Sequence, residues 1–199
     1  MLRLVTPGPP SVSPLARFEA LFREHQRSVL AYAMRRTATL QDAEDAAAET
    51  FTIAWRKLAS VPDADPLPWL YAVARRVLAN QRRGAGRRER LAALLQVRDV
   101  PTPVRLGEDQ DGPAFEALAT LSAADQEVLR LVAWEGLTNQ QIAIVLGITA
   151  NAVAIRLHRA RARFAAALKG SDATRTSTQV QGTNDAQGTN GAGWKGVAE

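Results

Sequence analysis

Apolar residues recur along most of this chain at the three- and four-residue spacing of amphipathic helices. The spacing is regular in three stretches, 15–58, 69–81 and 115–168. It is clearest near the end of the third, where one helical face would carry Val153, Leu157, Ala160, Phe164 and Leu168. No segment shows the regular alternation of apolar and polar residues that is typical of a half-buried strand. The pattern therefore predicts an all-α protein.

Prolines and glycines separate these helical stretches. Pro62, Pro66 and Pro68 predict a loop at 60–68, between the first and second stretches. A proline- and glycine-rich acidic segment, 99–113, predicts a linker. The residues after 169 are too polar to offset the entropy of ordering them. We therefore predict two small helical domains, at 15–84 and 113–169. Around them we expect a flexible N-terminus at 1–14, a linker at 85–112 and a disordered tail at 170–199.

The segment from Gly136 to Phe164 has the pattern of a helix-turn-helix. Thr138 and Gln141 have capping-box spacing at the start of a short apolar helix, and Gly147 ends it because glycine takes a left-handed backbone at little cost. The second helix is basic, as in folds that place one helix in the DNA major groove. Its face opposite the core would carry Asn151, Ile155, His158, Arg159 and Ala162, with Arg156 and Arg163 beside it.

Ile155 is the anomaly on this outward face, because an exposed isoleucine there has no packing role. A thymine methyl group in the major groove would give it a partner. Single exposed apolar residues are also common on protein surfaces, so both interpretations stay open.

The charge of the chain is concentrated in one region. Lysine and arginine number 25 against 20 acids, and nine of the arginines lie between Val73 and Arg105, where there are only two acids. An arginine-rich segment favours a polyanion partner. Within it, arginine for phosphates, asparagine for base edges and tryptophan for stacking suit opened DNA. The candidate residues are Trp69, Arg75, Arg76, Asn80, Arg82 and Arg83. A core position for Trp69 is at least as plausible.

Composition excludes several other functions. The chain has no cysteine, and its two histidines, His25 and His158, lie far apart with no ligand-spaced partner. No apolar run approaches the length of a membrane span, and prolines interrupt the N-terminus too often for a signal peptide. We therefore expect a cytoplasmic protein with no metal, no cofactor and no membrane insertion.

Asp42, Asp45 and Glu49 lie three and four residues apart, so they share one face of a predicted helix that Thr39 would cap. The trio could be a solvated face. Catalysis is disfavoured, since no histidine, phosphate loop or second acid cluster accompanies it. In a basic DNA-binding protein an acidic stripe would repel DNA, which favours a protein partner with a basic surface.

Three stretches in this order resemble a bacterial RNA polymerase sigma factor of the compact extracytoplasmic-function type. Residues 42–55, DAEDAAAETFTIAW, are similar to the polymerase-binding helix of that family. Residues 69–83 are similar to its helix for the minus-ten element, and residues 121–164 to its domain for the minus-thirty-five element. The resemblance covers residues 15–169.

This resemblance implies a mechanism for each stretch. The acidic residues would bind the clamp helices of the largest polymerase subunit, and the loop 60–66 beside Trp69 would hold a flipped-out base of the minus-ten element. The second domain would contact the minus-thirty-five element through Ala154, Ile155, His158 and Arg159. Sigma factors of this type are not enzymes, so no catalytic residues are expected. An anti-sigma factor is a possible further partner.

The sequence also departs from the family pattern. Ala48 stands where the family usually has glutamine, and Ala152, Ala154 and Ile155 replace common polar residues, which removes potential hydrogen bonds to DNA. Leu70 stands where housekeeping sigma factors have a second tryptophan, which favours the compact type.

Two other functions compete with this interpretation. A stand-alone helix-turn-helix regulator would explain 136–164 but neither the acidic stripe nor the arginine-rich helix. An adaptor that binds polymerase without DNA would tolerate charge reversal at Arg156 and Arg159. An enzyme is the poorest fit of all.

Overall fold

The computed structural model describes residues 13–94 and 112–185, with side chains except at 85, 88–94 and 171–185. Every regular element in these two ranges is helical, which confirms the all-α prediction. Residues 1–12 of the predicted N-terminus, 95–111 of the predicted linker and 186–199 of the predicted tail lie outside the described residues. The elements are α1 (Pro14–Met34), α2 (Leu40–Arg56), a 3-10 turn (Leu58–Ser60), α3 (Leu67–Leu94), α4 (Pro113–Ala119), α5 (Ala123–Ala133), α6 (Asn139–Leu146) and α7 (Ala150–Asp185).

Contacts divide the described chain into two compact units. The first contains α1, α2, α3 and the segment 135–151 with α6, and the second contains α4, α5 and α7 from residue 152. The predicted domain boundaries follow the chain continuously, whereas this division assigns α6 to the first unit because it packs against α3. The boundaries at 15–84 and 113–169 therefore stay a prediction.

The first unit has its core where α1, α2 and α3 meet. Val29, Tyr32, Leu70 and Val77 are fully buried there, and the ring of Tyr71 stacks on Tyr32 with centroids 4.8 Å apart. Rings of α1 and α2 pack edge to face at its margin, with Phe22 and Phe51 at 4.9 Å, an arrangement that aromatic quadrupoles favour.

Buried charges link α6 to the rest of the first unit. The Glu135 carboxylate, only 1% exposed, pairs with Arg35 and accepts a 2.9 Å hydrogen bond from Nη1 of Arg36. The Arg36 guanidinium also lies 3.6 Å from the centre of the Tyr32 ring. Burial raises the pKa of Tyr71, and the nearby Glu135 charge raises it further.

Three helices begin at a capping side chain, and the caps predicted at Thr39 and Thr138 are confirmed. Thr39 accepts from the amide of Asp42, Ser122 accepts from the amide of Asp125, and Thr138 forms a complete capping box with Gln141. Each cap satisfies an amide that the first turn would otherwise leave without a partner. Local sequence therefore determines where α2, α5 and α6 begin.

Two helices extend beyond the predicted ends of the domains. Helix α3 continues through Gly84 and Gly86 to Leu94, and α7 continues past Leu168 to Asp185, inside the segment expected to be disordered. Extending an existing helix requires no new nucleation, so weak helix formers can follow strong ones. Among the described residues no single helix is long and apolar enough to cross a membrane, although α6 and α7 pass that test jointly on length and composition alone.

The second unit has a small core on α4, α5 and α7. Val128, Leu131, Val153 and Ala160 are fully buried, and Leu157 is nearly so. Phe164 and Leu168 continue this stripe as half-buried residues. The predicted core face of α7 is thus confirmed.

Candidate nucleic-acid interface

The outward face of α7 lies as the helical pattern predicts. Asn151, His158, Arg159 and Ala162 are exposed, and Ile155 is 46% exposed. Ala154 and Arg156 are half-buried at the edge of the face. The face is therefore basic, has one large apolar side chain, Ile155, and is accessible along its length.

The turn before α7 has the geometry expected of a helix-turn-helix. Gly147 adopts φ 68° and ψ 37°, a left-handed conformation, and its amide donates to the Ala143 carbonyl at 2.9 Å. Residues with a Cβ rarely adopt this conformation, so glycine is the residue that ends α6 at low cost. Two residues follow before α7 begins at Ala150.

Arg163, a predicted DNA contact, is engaged within the second unit. Its Nη1 donates to Oδ2 of Asp125 at 2.6 Å, and the Asp125 side chain is 6% exposed while that of Arg163 is 61% exposed. Burial alone would raise the pKa of Asp125, but hydrogen bonds from Arg163 and Ser122 and the charges of Arg163 and Arg156 lower it overall. Asp125 is thus a buried charge in the first turn of α5, which the Ser122 side chain caps.

The basic part of α3 presents its charges to solvent. Arg75, Arg76, Arg82 and Arg83 are all exposed, and Arg83 donates to the side-chain oxygen of Asn80. Arg82 donates to the main-chain carbonyl of Arg36 at 3.3 Å. Trp69 is half-buried at the start of the helix, so it is neither a fully buried core residue nor a fully exposed platform for base stacking. Its neighbour Tyr71, by contrast, belongs to the core.

The loop before α3, residues 61–66, is held to α1 by one side chain. Arg17 donates to the carbonyls of Leu58 and Val61 and to the carboxylate of Asp63. Local sequence spacing does not mark Arg17 as a functional residue, because its contacts cross more than forty residues of the chain. Asp65 of the same loop accepts a 2.9 Å hydrogen bond from Nε2 of Gln141.

The predicted acidic stripe on α2 is exposed. Asp42, Asp45 and Glu49 all face solvent, while Ala43, Ala46, Thr50, Phe51 and Ala54 form the buried side of the helix. Asp42 accepts a 2.6 Å hydrogen bond from the Thr39 hydroxyl, and Asp45 accepts one of 3.0 Å from Gln41. Among the described residues no cluster of three or more histidines and acids could hold a metal ion. The stripe is thus a surface of unburied negative charge.

A helix-turn-helix with an exposed basic face, a second basic helix and a separate acidic face are typical of helical DNA-binding proteins that have an additional surface of opposite charge. Known proteins narrow this class. A model of sigma-70 region 2 matches residues 21–88, and a model of sigma-70 region 4 matches residues 114–164. The extracytoplasmic-function RNA polymerase sigma factor SigL of Mycobacterium tuberculosis is 34% identical over 153 residues, which are 73% of this chain and 85% of the relative.

Solved structures agree with this match. The sigma factor RpoE of Bartonella quintana, in complex with the anti-sigma factor NepR, superposes with a TM-score of 0.58 at 25% identity, covering 76% of this chain and 96% of that one. CnrH, in complex with the cytosolic domain of CnrY, gives a TM-score of 0.54 at 26% identity, covering 77% and 88%.

The chain belongs to the sigma-70 family of RNA polymerase sigma factors, in its extracytoplasmic-function group. It is an alternative sigma factor that directs transcription initiation. The region 2 match, at residues 21–88, includes the acidic stripe of α2 and the basic part of α3.

Proposed function

We propose that three surfaces of this sigma factor divide the work of initiation. The acidic stripe of α2 binds the clamp helices of the largest polymerase subunit, the start of α3 with the loop 61–66 selects the minus-ten element, and the outward face of α7 contacts the minus-thirty-five element. The observation that carries this proposal is the separation of charge. Asp42, Asp45 and Glu49 are exposed on one face of α2, whereas exposed arginines cluster on α3 (Arg75, Arg76, Arg82 and Arg83) and on α7 (Arg159, Arg161 and Arg163).

The residues of the polymerase surface are Asp42, Asp45 and Glu49. Asp42 also accepts from the Thr39 hydroxyl that caps α2, so changing Asp42 would disturb the helix start as well as the surface. Asp45 and Glu49 lie beyond the first turn, which makes them better probes of binding.

Charge reversal tests the polymerase surface. In the doubly substituted D45K/E49K chain, we expect affinity for core polymerase to fall at least about tenfold, because like charges would face each other across the interface. Glu44→Lys is a matched control, because Glu44 is an exposed acid of the same helix on a different face. Capture of core polymerase at full affinity by the folded double variant would refute the assignment.

The residues proposed for the minus-ten element are Trp69, Arg75, Arg76, Asn80, Arg82 and Arg83, with the loop 61–66 supplying base selectivity. The exposed arginines provide phosphate contacts, and Trp69 is accessible enough to contact an unstacked base. Replacing the loop with that of another sigma factor should change the preferred minus-ten sequence in run-off transcription. An unchanged preference would count against the loop.

The residues proposed for the minus-thirty-five element are Asn151, Ala154, Ile155, Arg156, His158, Arg159 and Arg163. Ile155 is proposed to contact a thymine methyl group, and Arg159 to contact phosphate or a base edge. Ile155→Ala should reduce discrimination at one promoter position. If Arg159 binds phosphate, Arg159→Ala should weaken binding to all promoters about equally and reduce its salt dependence. Equal effects of Ile155→Ala on every promoter variant would contradict its role.

We further propose that the chain performs no catalysis of its own and works in the cytoplasm, where core polymerase and promoter DNA are found. Purified core polymerase with and without the full chain, on genomic DNA, tests this assignment. Promoter-specific transcripts should require both components, and promoter binding by the sigma factor alone should be weak.

Regulation by an anti-sigma factor is also proposed, on the ground that the similar sigma factor RpoE of Bartonella quintana is bound to the anti-sigma factor NepR. Affinity capture with the full chain, followed by inhibition of its transcription in vitro by the captured protein, tests this. A captured protein that leaves transcription unchanged would contradict it.

A further inference from the structure

Arg17 is a half-buried arginine on α1 whose side chain has a single set of partners, the segment 58–63. Nη1 donates to the Leu58 carbonyl at 2.8 Å, and Nη2 donates to the Val61 carbonyl at 2.7 Å. Nε donates to Oδ1 of Asp63 at 2.9 Å, and Nη2 lies 2.7 Å from the same oxygen. One rigid guanidinium thus connects α1 to three acceptors around the start of the loop 61–66.

The far end of this loop is attached by other hydrogen bonds, since the Asp65 carboxylate accepts from Nε2 of Gln141 at 2.9 Å and the Pro66 carbonyl accepts from the Leu70 amide at 3.0 Å. Val61 is its only buried member, Pro62 to Asp65 are exposed, and Pro66 is half-buried. A cavity of about 600 Å³ lies between the loop and α1, lined by Leu21, His25, Pro62 and Pro66 among others. Apolar packing between the loop and α1 is therefore incomplete. Hydrogen bonds from Arg17 restrain the start of the loop in its place.

Fixing the loop before DNA arrives has an energetic consequence. A loop whose backbone becomes ordered only during binding loses conformational entropy at that step, so it binds with lower affinity and discrimination. The Leu58 carbonyl accepts from Arg17 on one side and from the Val61 amide at 3.2 Å on the other. The backbone that leads into the loop is thus restrained from both directions.

We propose that Arg17 is a positioning residue for selection of the minus-ten element. Its guanidinium holds the loop 61–66 in the conformation that discriminates between bases, without itself contacting DNA. This inference rests on the proposed role of the loop, and it identifies Arg17 as the residue of α1 that supports that role.

Arginine is specifically suited to this position. Three acceptors in different directions match the planar fork of guanidinium donors, whereas a lysine ammonium on a flexible stem could satisfy only part of the set. Asp63 is 86% exposed on its side chain, so water screens its pairing with Arg17. The two carbonyl contacts are therefore expected to contribute more than the ion pair.

The test measures discrimination by holoenzyme on a set of synthetic promoters. The set contains every single-base change in the minus-ten element and, separately, in the minus-thirty-five element. Arg17→Ala should reduce the ratio of open complexes on preferred over altered minus-ten sequences by about three- to tenfold. Arg17→Lys should give an intermediate loss, and Asp63→Asn a loss below about threefold, since both carbonyl contacts remain. Arg23→Ala removes an exposed arginine from the same helix and serves as the control.

Several outcomes would overturn the proposal. Parallel losses at the minus-ten and minus-thirty-five elements would show that Arg17 acts only on overall stability. Unchanged minus-ten discrimination in Arg17→Ala, while a loop replacement still alters it, would reject Arg17 and leave the function of the loop intact. If the loop replacement also changes nothing, the proposed function of the loop fails first. Should Arg17→Ala not fold, Arg17→Lys and Asp63→Asn give the same comparison in folded protein.

Discussion

The ion pair between Asp125 and Arg163 gives a quantitative prediction for the second unit. Asp125→Asn keeps the size of the side chain and the capping amide but removes its charge. Hydrogen bonds to buried charged groups contribute about 1.5–3 kcal/mol, whereas exposed ion pairs contribute about 0.2–1 kcal/mol. Asp125 is 6% exposed and Arg163 is 61% exposed, so water screens one partner. We expect a loss of about 1 kcal/mol in the free energy of unfolding at pH 7.

The pH dependence provides a control within the same experiment. Because the pKa of Asp125 is lowered in the folded state, the unfolded chain takes up its proton first as the pH falls. The contribution of the carboxylate is complete well above the ordinary aspartate pKa of about 3.9, declines through that value and is lost below the folded pKa. The stability difference between native protein and Asp125→Asn should be constant from about pH 7 to pH 5 and should narrow near pH 4.

Urea and thermal unfolding, followed by circular dichroism at several pH values, measure this difference. At pH 7 the variant should melt about 4–8 °C lower if the second unit unfolds as a small cooperative domain. A difference that stays constant to pH 4, or is absent at pH 7, would refute the assigned pair. The same pair affects tests of DNA binding, because Arg163→Ala also leaves Asp125 buried without its partner. The effect of Arg163→Ala on DNA binding should therefore be measured in the Asp125→Asn protein, by comparing the double variant with the Asp125→Asn single variant.

Three further substitutions test the packing and turns of the fold by thermal unfolding. Gly147→Ala should lower stability by about 1 kcal/mol, because alanine resists the left-handed backbone at φ 68°, and an unchanged Tm would contradict the turn. Gly84→Ala should raise the free energy of unfolding by about 0.5–1 kcal/mol, because the added Cβ meets no atom within 4 Å inside α3. A lower Tm would contradict a continuous helix. Leu70→Trp should cost about 1–3 kcal/mol or more, because Leu70 is 0% exposed and has no room for an indole ring, so an unchanged stability would refute the packing.

Local sequence predicted those parts of the fold that depend on local physics. Capping residues determined where α2, α5 and α6 begin, and Gly147 determined where α6 ends. The 3.6-residue period predicted the buried face of α7 and left Ile155 exposed. These features involve residues within one or two helical turns of each other, so their pattern is visible in the chain itself.

The contacts that connect distant residues could not be predicted in this way. Arg17 meets the loop across more than forty residues, and Arg36 meets Glu135 across 99. An arginine that pairs internally has the same local sequence signature as one that binds DNA. Arg163 was assigned to DNA alone for that reason, whereas the structure pairs it with a buried aspartate.

This distinction bears on how promoter selectivity is encoded in the chain. The residues proposed to contact DNA lie on exposed helix faces, and three positions of the α7 face lack the polar side chains common in the family. Arg17 and Asp125 lie elsewhere and support the loop and the α7 face through hydrogen bonds within the protein. Selectivity can therefore change through a supporting residue while every proposed DNA contact stays the same. A comparison of relatives at the contact positions alone would miss such changes, and Arg17 is the position at which this can be measured directly.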